Sequence, residues 1–187
     1  MTYYELFGLK PLLNLDLRRL ESSYHELSRI HHPDFHTTSP PAEKAKALEM
    51  TALLNDAYRT LRDPTKRAEY LVRSEGLTVD SSKVPQELLM EVFEINEGLD
   101  ELRTARKAGE DTAALEDELE SFRAKIAGKR ESYWTHLGQA FAEWDELVER
   151  GAPEQARRAQ LARLADVISR ESYIRNLEAE LNDEVSH

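Results

Sequence analysis

The sequence predicts an all-α protein, and three observations carry that prediction. Apolar residues recur at three- and four-residue steps along most of the chain, the rhythm of amphipathic helices. Glycine and proline are scarce, seven of each in 187 residues, which suits long helices with short connections. Most of those that do occur punctuate the rhythm: Gly8, Pro33, Pro64, Gly76, Pro85, Gly109, Gly151 and Pro153 stand where it stops or restarts.

Residues 2–8 read as a short first helix closed by Gly8, with Tyr4, Leu6, Phe7 and Leu9 packing across the base of a helical hairpin. Over residues 16–31, Leu17, Leu20, Tyr24, Leu27 and Ile30 repeat in helical rhythm, and Asp16 suits the N-cap. Pro33 has no amide proton and disfavours a helical His32, so this helix stops there. The segment Phe35-His36-Thr37-Thr38-Ser39-Pro40-Pro41 is polar and proline-punctuated, as the turn of the hairpin requires. The return helix covers residues 42–62, with Leu48, Thr51, Asn55, Tyr58 and Leu61 on one face, and Asp63-Pro64 ends it. His32-Pro33-Asp34 is thereby expected at the exposed tip of a stiff two-helix finger. Residues 65–74 read as a fourth short helix, anchored by Tyr70 and Leu71 and stopped at Gly76.

Residues 77–84 read as a linker, and Pro85 suits the first turn of a helix that Gly109 closes after Ala108. On that helix Leu88, Val92, Ile95, Leu99 and Leu102 make the core stripe. Met90, Glu94, Glu97 and Glu101 fall on the opposite face, and Leu89 and Phe93 lie between the two. The far side of a helix in a small bundle should be wet. Large apolar groups there, beside a row of carboxylates, mark an interaction surface. The competing reading, that Leu89 and Phe93 only widen the core, does not account for Met90. Asp111 can cap a long helix over residues 112–150, whose Leu115, Leu119, Phe122, Ile126, Tyr133, Leu137, Ala140, Trp144 and Leu147 form a near-heptad seam. Gly128 and Gly138 within it cost about 1 kcal/mol each relative to Ala and permit local bending. Gly151 ends it, and Pro153 opens a last helix carrying Leu161, Leu164, Ile168, Ile174, Leu177 and Leu181. Three helices joined by two short loops make an up-down-up bundle. The predicted organisation is a finger domain over 1–76, a linker over 77–84 and a three-helix domain over 85–187.

Charge divides the chain in the same place. Residues 1–76 hold 11 basic and 11 acidic side chains, leaving 14 basic and 25 acidic in the remainder, so the whole net charge of −11 belongs to the second half. Two different partner surfaces are implied, and a nucleic-acid backbone is not the main partner. The chain has no cysteine, which excludes disulfides, thiol catalysis and thiolate ligation of an iron–sulfur cluster, and fits a reducing compartment. No basic segment followed by an apolar run opens the sequence, and no apolar stretch is long enough to span a bilayer. A soluble cytoplasmic protein is expected, with no membrane association and no cofactor. A convex finger tip is a poor place to exclude water, so no catalytic residue is assigned there; it is a good place to present charge to a partner. His31, His32, Asp34 and His36 lie close in sequence and carry ligands suited to zinc or nickel, but consecutive histidines followed by proline rarely converge on one ion, and no metal site is expected.

The run Thr2-Tyr3-Tyr4-Glu5-Leu6-Phe7-Gly8-Leu9, then Tyr24 and Leu27, then His32-Pro33-Asp34, then Leu54-Asn55-Asp56-Ala57-Tyr58-Arg59-Thr60-Leu61-Arg62-Asp63-Pro64, together resemble the J domain of DnaJ-type co-chaperones. Lys66-Arg67-Ala68-Glu69-Tyr70-Leu71 is more similar to the HscB branch, in the bacterial form that lacks an N-terminal cysteine module. The resemblance is specific over residues 1–76 and looser over 77–187. It implies a co-chaperone, not an enzyme, that brings an IscU-type iron–sulfur scaffold protein to a DnaK/HscA-type ATPase chaperone. It assigns His32, Pro33 and Asp34, with Arg29 nearby, to engaging the chaperone and triggering its ATP hydrolysis. It assigns Leu89, Met90, Phe93, Glu94, Glu97 and Glu101, with Tyr173 of the last helix, to binding the scaffold. The chain departs from common J domains at His25 and Glu26, where basic residues are usual after the tyrosine, and at Phe35; a dedicated chaperone fits this thinner positive face. Phe93 stands where the family pattern has a smaller apolar residue. The alternatives are a J-domain co-chaperone with a different client and a histidine-based metal-binding protein.

Overall fold

A computed structural model describes residues 1–32, 40–80, 84 and 86–185, the side chains of the last two excepted. Seven α-helices are present among the described residues: α1 (Tyr3–Leu6), α2 (Leu17–Ile30), α3 (Pro41–Arg62), α4 (Pro64–Ser74), α5 (Leu89–Ala108), α6 (Ala113–Glu149) and α7 (Glu154–Val185). The fold is all-α, as the periodicity predicts.

The helix boundaries arise from local chemistry. Thr2 and Glu5 close α1 with a capping box, each side chain bonding the other's backbone amide. The Asp16 carboxylate accepts from the amides of Arg18 and Arg19 and caps α2. Asp63 ends α3 with an extended backbone and caps α4 by accepting from the Lys66 amide. Gly109 takes a left-handed conformation (φ 71°) to close α5, where a side chain would meet its own backbone. The start of α5 departs from expectation. The α-helix begins at Leu89, and residues Gln86–Leu88 form a 3-10 turn before it. Leu88 occupies the cap position with no polar side chain, so the entry is tightened by the shorter turn instead. Pro85, expected in the first turn, lies outside the described residues.

The chain forms two compact units. The first comprises Met1–Thr78 with Ala140–Ala162, the second Val79–Gln139 with Arg163–His187. The chain first passes from one unit to the other between Thr78 and Val79. The first unit, however, also takes in the end of α6 and the start of α7.

In the first unit α1, α2, α3 and α4 bury Tyr4, Leu20, Ala47, Leu54, Ala57, Leu61, Ala68, Leu71 and Val72, and Phe7 is buried directly after α1. The inner face of α3 differs from the predicted one by a step: Ala47 and Leu54 are buried, and Leu48 is 57% exposed. Leu17 and Ile30, at the two ends of α2, are also exposed. In the second unit α5, α6 and α7 close on one core. It is built from Leu88, Val92, Ile95, Leu99 and Leu102 of the first helix and its entry turn, Leu119, Phe122 and Ile126 of the second, and Ile174, Leu177 and Leu181 of the third. The stripe read from α5 is the buried one in full.

Candidate functional site

The finger is built by aromatic and amide contacts between α2 and α3. The Tyr24 ring stacks on Tyr58 with centroids 4.2 Å apart, and its hydroxyl donates to the Asn55 side-chain oxygen at 2.7 Å. Toward the end of α2 the Thr51 hydroxyl donates to the His31 carbonyl at 3.1 Å. Position 24 thus meets 55 and 58, whereas 31 meets 51, so the helices run antiparallel. Because the end of α2 lies level with Thr51 while α3 begins at Pro41, about ten residues of α3, about 15 Å of helix, overhang it. Leu48 lies in that overhang and is exposed, whereas its neighbour Ala47 is buried. Arg29 and His32 are exposed at the end of α2, and His31 forms its C-cap. Pro33 and Asp34 lie outside the described residues, as do Phe35 and His36.

At the other end the finger is braced by α1 and α4. The Tyr3 ring stacks on Tyr70 at 4.2 Å, its amide donates to the Tyr70 hydroxyl at 2.8 Å, and its own hydroxyl donates to the Asp56 carboxylate at 2.5 Å. That bond to Asp56 comes first among the causes that push the Tyr3 phenol up to about 12, so it remains a donor at any physiological pH. Arg67 is buried and donates to the Leu61 carbonyl at 2.5 Å; burial lowers its pKa.

A further set of contacts has no counterpart in the sequence pattern. Asp145 of α6 accepts from the Leu13 amide at 2.6 Å and from the Asn14 amide and side-chain amide, each at 2.8 Å. Its neighbour Trp144 donates from the indole N–H to the Pro11 carbonyl at 2.7 Å. Two adjacent residues thereby fix the loop that leads into α2. Trp144 is legible as a core residue from the seam, but neither partner can be read from local spacing.

The second candidate surface lies at the start of α5. Leu89 is 51% exposed, Met90 69% and Phe93 63%, which removes the reading that these residues widen the core. Glu94, Glu97 and Glu101 are exposed on the same helix. Glu91 offers no such free charge: Lys129 of α6 donates to it at 2.7 Å, and that bond, first among the causes, holds the carboxyl below its ordinary range. Tyr173 of α7 is half-buried against the bundle core, and that burial raises its phenol. Among the described residues no group of three His, Asp or Glu side chains is placed to hold a metal ion. No described helix is long and apolar enough to cross a membrane.

The DnaJ domain family matches residues 2–70, and the family described as the HscB C-terminal oligomerisation domain matches residues 84–182. The chain belongs to the HscB family, the J-domain co-chaperones of iron–sulfur cluster assembly; the family is one of co-chaperones, not of enzymes. It is similar to the HscB co-chaperone homolog of Neisseria meningitidis, 34% identical over 146 residues, which covers 76% of this chain and 83% of the relative. The homolog of Bordetella avium is 35% identical over 164 residues, 82% of this chain and 95% of the relative. Chaperone HscB from Vibrio cholerae has a similar structure, with a TM-score of 0.61, 28% identity, and coverage of 98% of this chain and 96% of that one. Human co-chaperone HscB, at 21% identity and a TM-score of 0.63, shares the fold over 97% of this chain and 81% of its own.

Proposed function

We propose that the chain binds an IscU-type iron–sulfur scaffold protein through Leu89, Met90 and Phe93 and delivers it to a DnaK/HscA-type chaperone in the cytoplasm, where His32, Pro33 and Asp34, assisted by Arg29, stimulate the chaperone's ATPase. The observation that carries the client half is the exposure of three large apolar side chains at the head of α5, within the segment that matches the HscB C-terminal family. Apolar groups of this size, exposed together beside charge, are the ordinary anatomy of a binding surface. Glu94, Glu97 and Glu101 favour a basic surface on the partner and contribute orientation and on-rate more than affinity. Tyr173 contributes an aromatic edge from α7. ATP is hydrolysed on the chaperone, and this chain brings no catalytic group of its own.

The test uses the full chain. Calorimetry against the organism's iron–sulfur scaffold protein should give micromolar binding, about −8 kcal/mol, that disappears in Leu89→Ala/Phe93→Ala. Asp34→Asn should bind the scaffold as the native chain does and fail to stimulate the chaperone's ATPase. A folded chain that does not bind the scaffold would sink the client assignment. The description of the matched C-terminal family as an oligomerisation domain favours one second reading, that the same apolar surface meets another copy of this chain. Sedimentation of the native chain across micromolar concentrations would then show a dimer that Leu89→Ala/Phe93→Ala dissociates.

A further inference from the structure

The head of α5 has an unusual combination of properties. It presents the most exposed large apolar side chains among the described residues of the second unit, and its first turn has no side-chain cap. Leu88 at the cap position offers no side-chain acceptor, and the chain enters through a 3-10 turn. A start without a side-chain cap relies on contacts from neighbouring elements to fix the direction of its first turn.

Two cations from other helices grip this turn. Arg170 of α7 donates to the Glu87 carboxylate at 2.8 Å, with its second nitrogen 2.8 Å from Asp166. Lys129 of α6 donates to Glu91 at 2.7 Å. The two gripped carboxylates lie one helical turn apart, on either side of Leu89 and Met90. Leu88 and Val92, buried in the core, hold the same turn from beneath. We propose that Lys129 and Arg170 are positioning residues for the client surface: they tie the uncapped first turn of α5 to α6 and α7 and fix the direction in which Leu89 and Met90 meet the scaffold. This rests on the reading of that surface as the client-binding one. Preorganising a contact surface strengthens binding by removing the ordering cost from the association step. The pairs also neutralise Glu87 and Glu91, so the carboxylates offered to a basic partner are the more distant Glu94, Glu97 and Glu101. Arg170 lies one turn before Tyr173, so one cation serves both helices that frame the surface.

The experiment uses the full chain carrying Lys129→Met/Arg170→Met, with Lys129→Arg/Arg170→Lys as the conservative control. Amide hydrogen exchange is read first, without client. Faster exchange is expected at residues 86–93, with exchange at residues 95–102 unchanged. Scaffold affinity should fall about fivefold, the scale of two partly exposed ion pairs. The conservative control should restore both readouts. Unchanged exchange at 86–93 overturns the proposal, and so does faster exchange with unaltered affinity. If Leu89→Ala/Phe93→Ala itself binds as the native chain does, the surface reading has failed and this proposal falls with it. If that variant loses binding while the methionine variant does not, the positioning role alone is overturned.

Discussion

Asp145 carries more of the first unit's structure than any periodicity would suggest. Its two oxygens take two backbone amides and one side-chain amide from residues 13 and 14. Removing them leaves the Leu13 amide, in a partly buried site, without an acceptor. Asp145→Ala is expected to lower unfolding stability by about 2–3 kcal/mol, since bonds to a charged acceptor are each worth more than neutral ones. Urea unfolding of the full chain measures it, and a loss under about 0.5 kcal/mol, the scale of an ordinary surface substitution, would refute it. The sequence makes this residue look like solvated surface, because it sits one position from the seam residue Trp144 and its partners lie more than 130 residues away. By contrast the Asp16 cap is legible, because its partners are two and three residues on. Legibility at this scale is a matter of sequence distance: short-range hydrogen bonds leave a pattern, and long-range ones leave none.

Among the helices, agreement between sequence rhythm and burial depends on what presses against each face. The α5 stripe emerges correctly because both neighbours press on one side of it, so period and burial agree. On α3 the rhythm points a step off: burial falls on Ala47 and Leu54, and Leu48 keeps helical spacing while staying exposed. The exposed patch on α5 is legible for the converse reason: Met90 stands on the face opposite the core stripe, where the amphipathic rule calls for a polar residue. Glycine spacing gives a prediction here. Gly128 and Gly138 lie inside α6, with nothing within 4 Å of where a Cβ would stand. Gly98 of α5 differs, since its Cβ would come 3.3 Å from the buried Leu119 side chain. Gly128→Ala and Gly138→Ala should each raise stability by about 0.5–1 kcal/mol through helix propensity. Gly98→Ala should gain less, because Leu119 has to move to admit it. Thermal unfolding of the three single variants tests the order, and an equal gain at Gly98 would show that the α5–α6 packing is looser than the distance implies.

At the scale of the molecule, the DnaJ domain match ends at residue 70, but the compact unit that contains it also takes in residues 140–162. Leu13 is completely buried in the full chain, and the loop around it is held by Trp144 and Asp145. A fragment of residues 1–76 lacks both. Its finger should still form, because the contacts among Tyr24, Asn55 and Tyr58 and among Tyr3, Asp56 and Tyr70 are internal to it. The loop of residues 10–15 should not. The amides of Leu13 and Asn14 are expected to exchange at nearly unprotected rates in the fragment and to be protected in the full chain, while amides in the middle of α2 and α3 remain protected in both. Hydrogen exchange on the two proteins decides it. Equal protection of Leu13 and Asn14 would mean that the finger domain organises this loop alone, and that the bonds from α6 result from its fold rather than help to make it. Loss of protection confined to the loop would mean that residues 140–162 complete the J-domain unit, and that the Asp145→Ala penalty arises there.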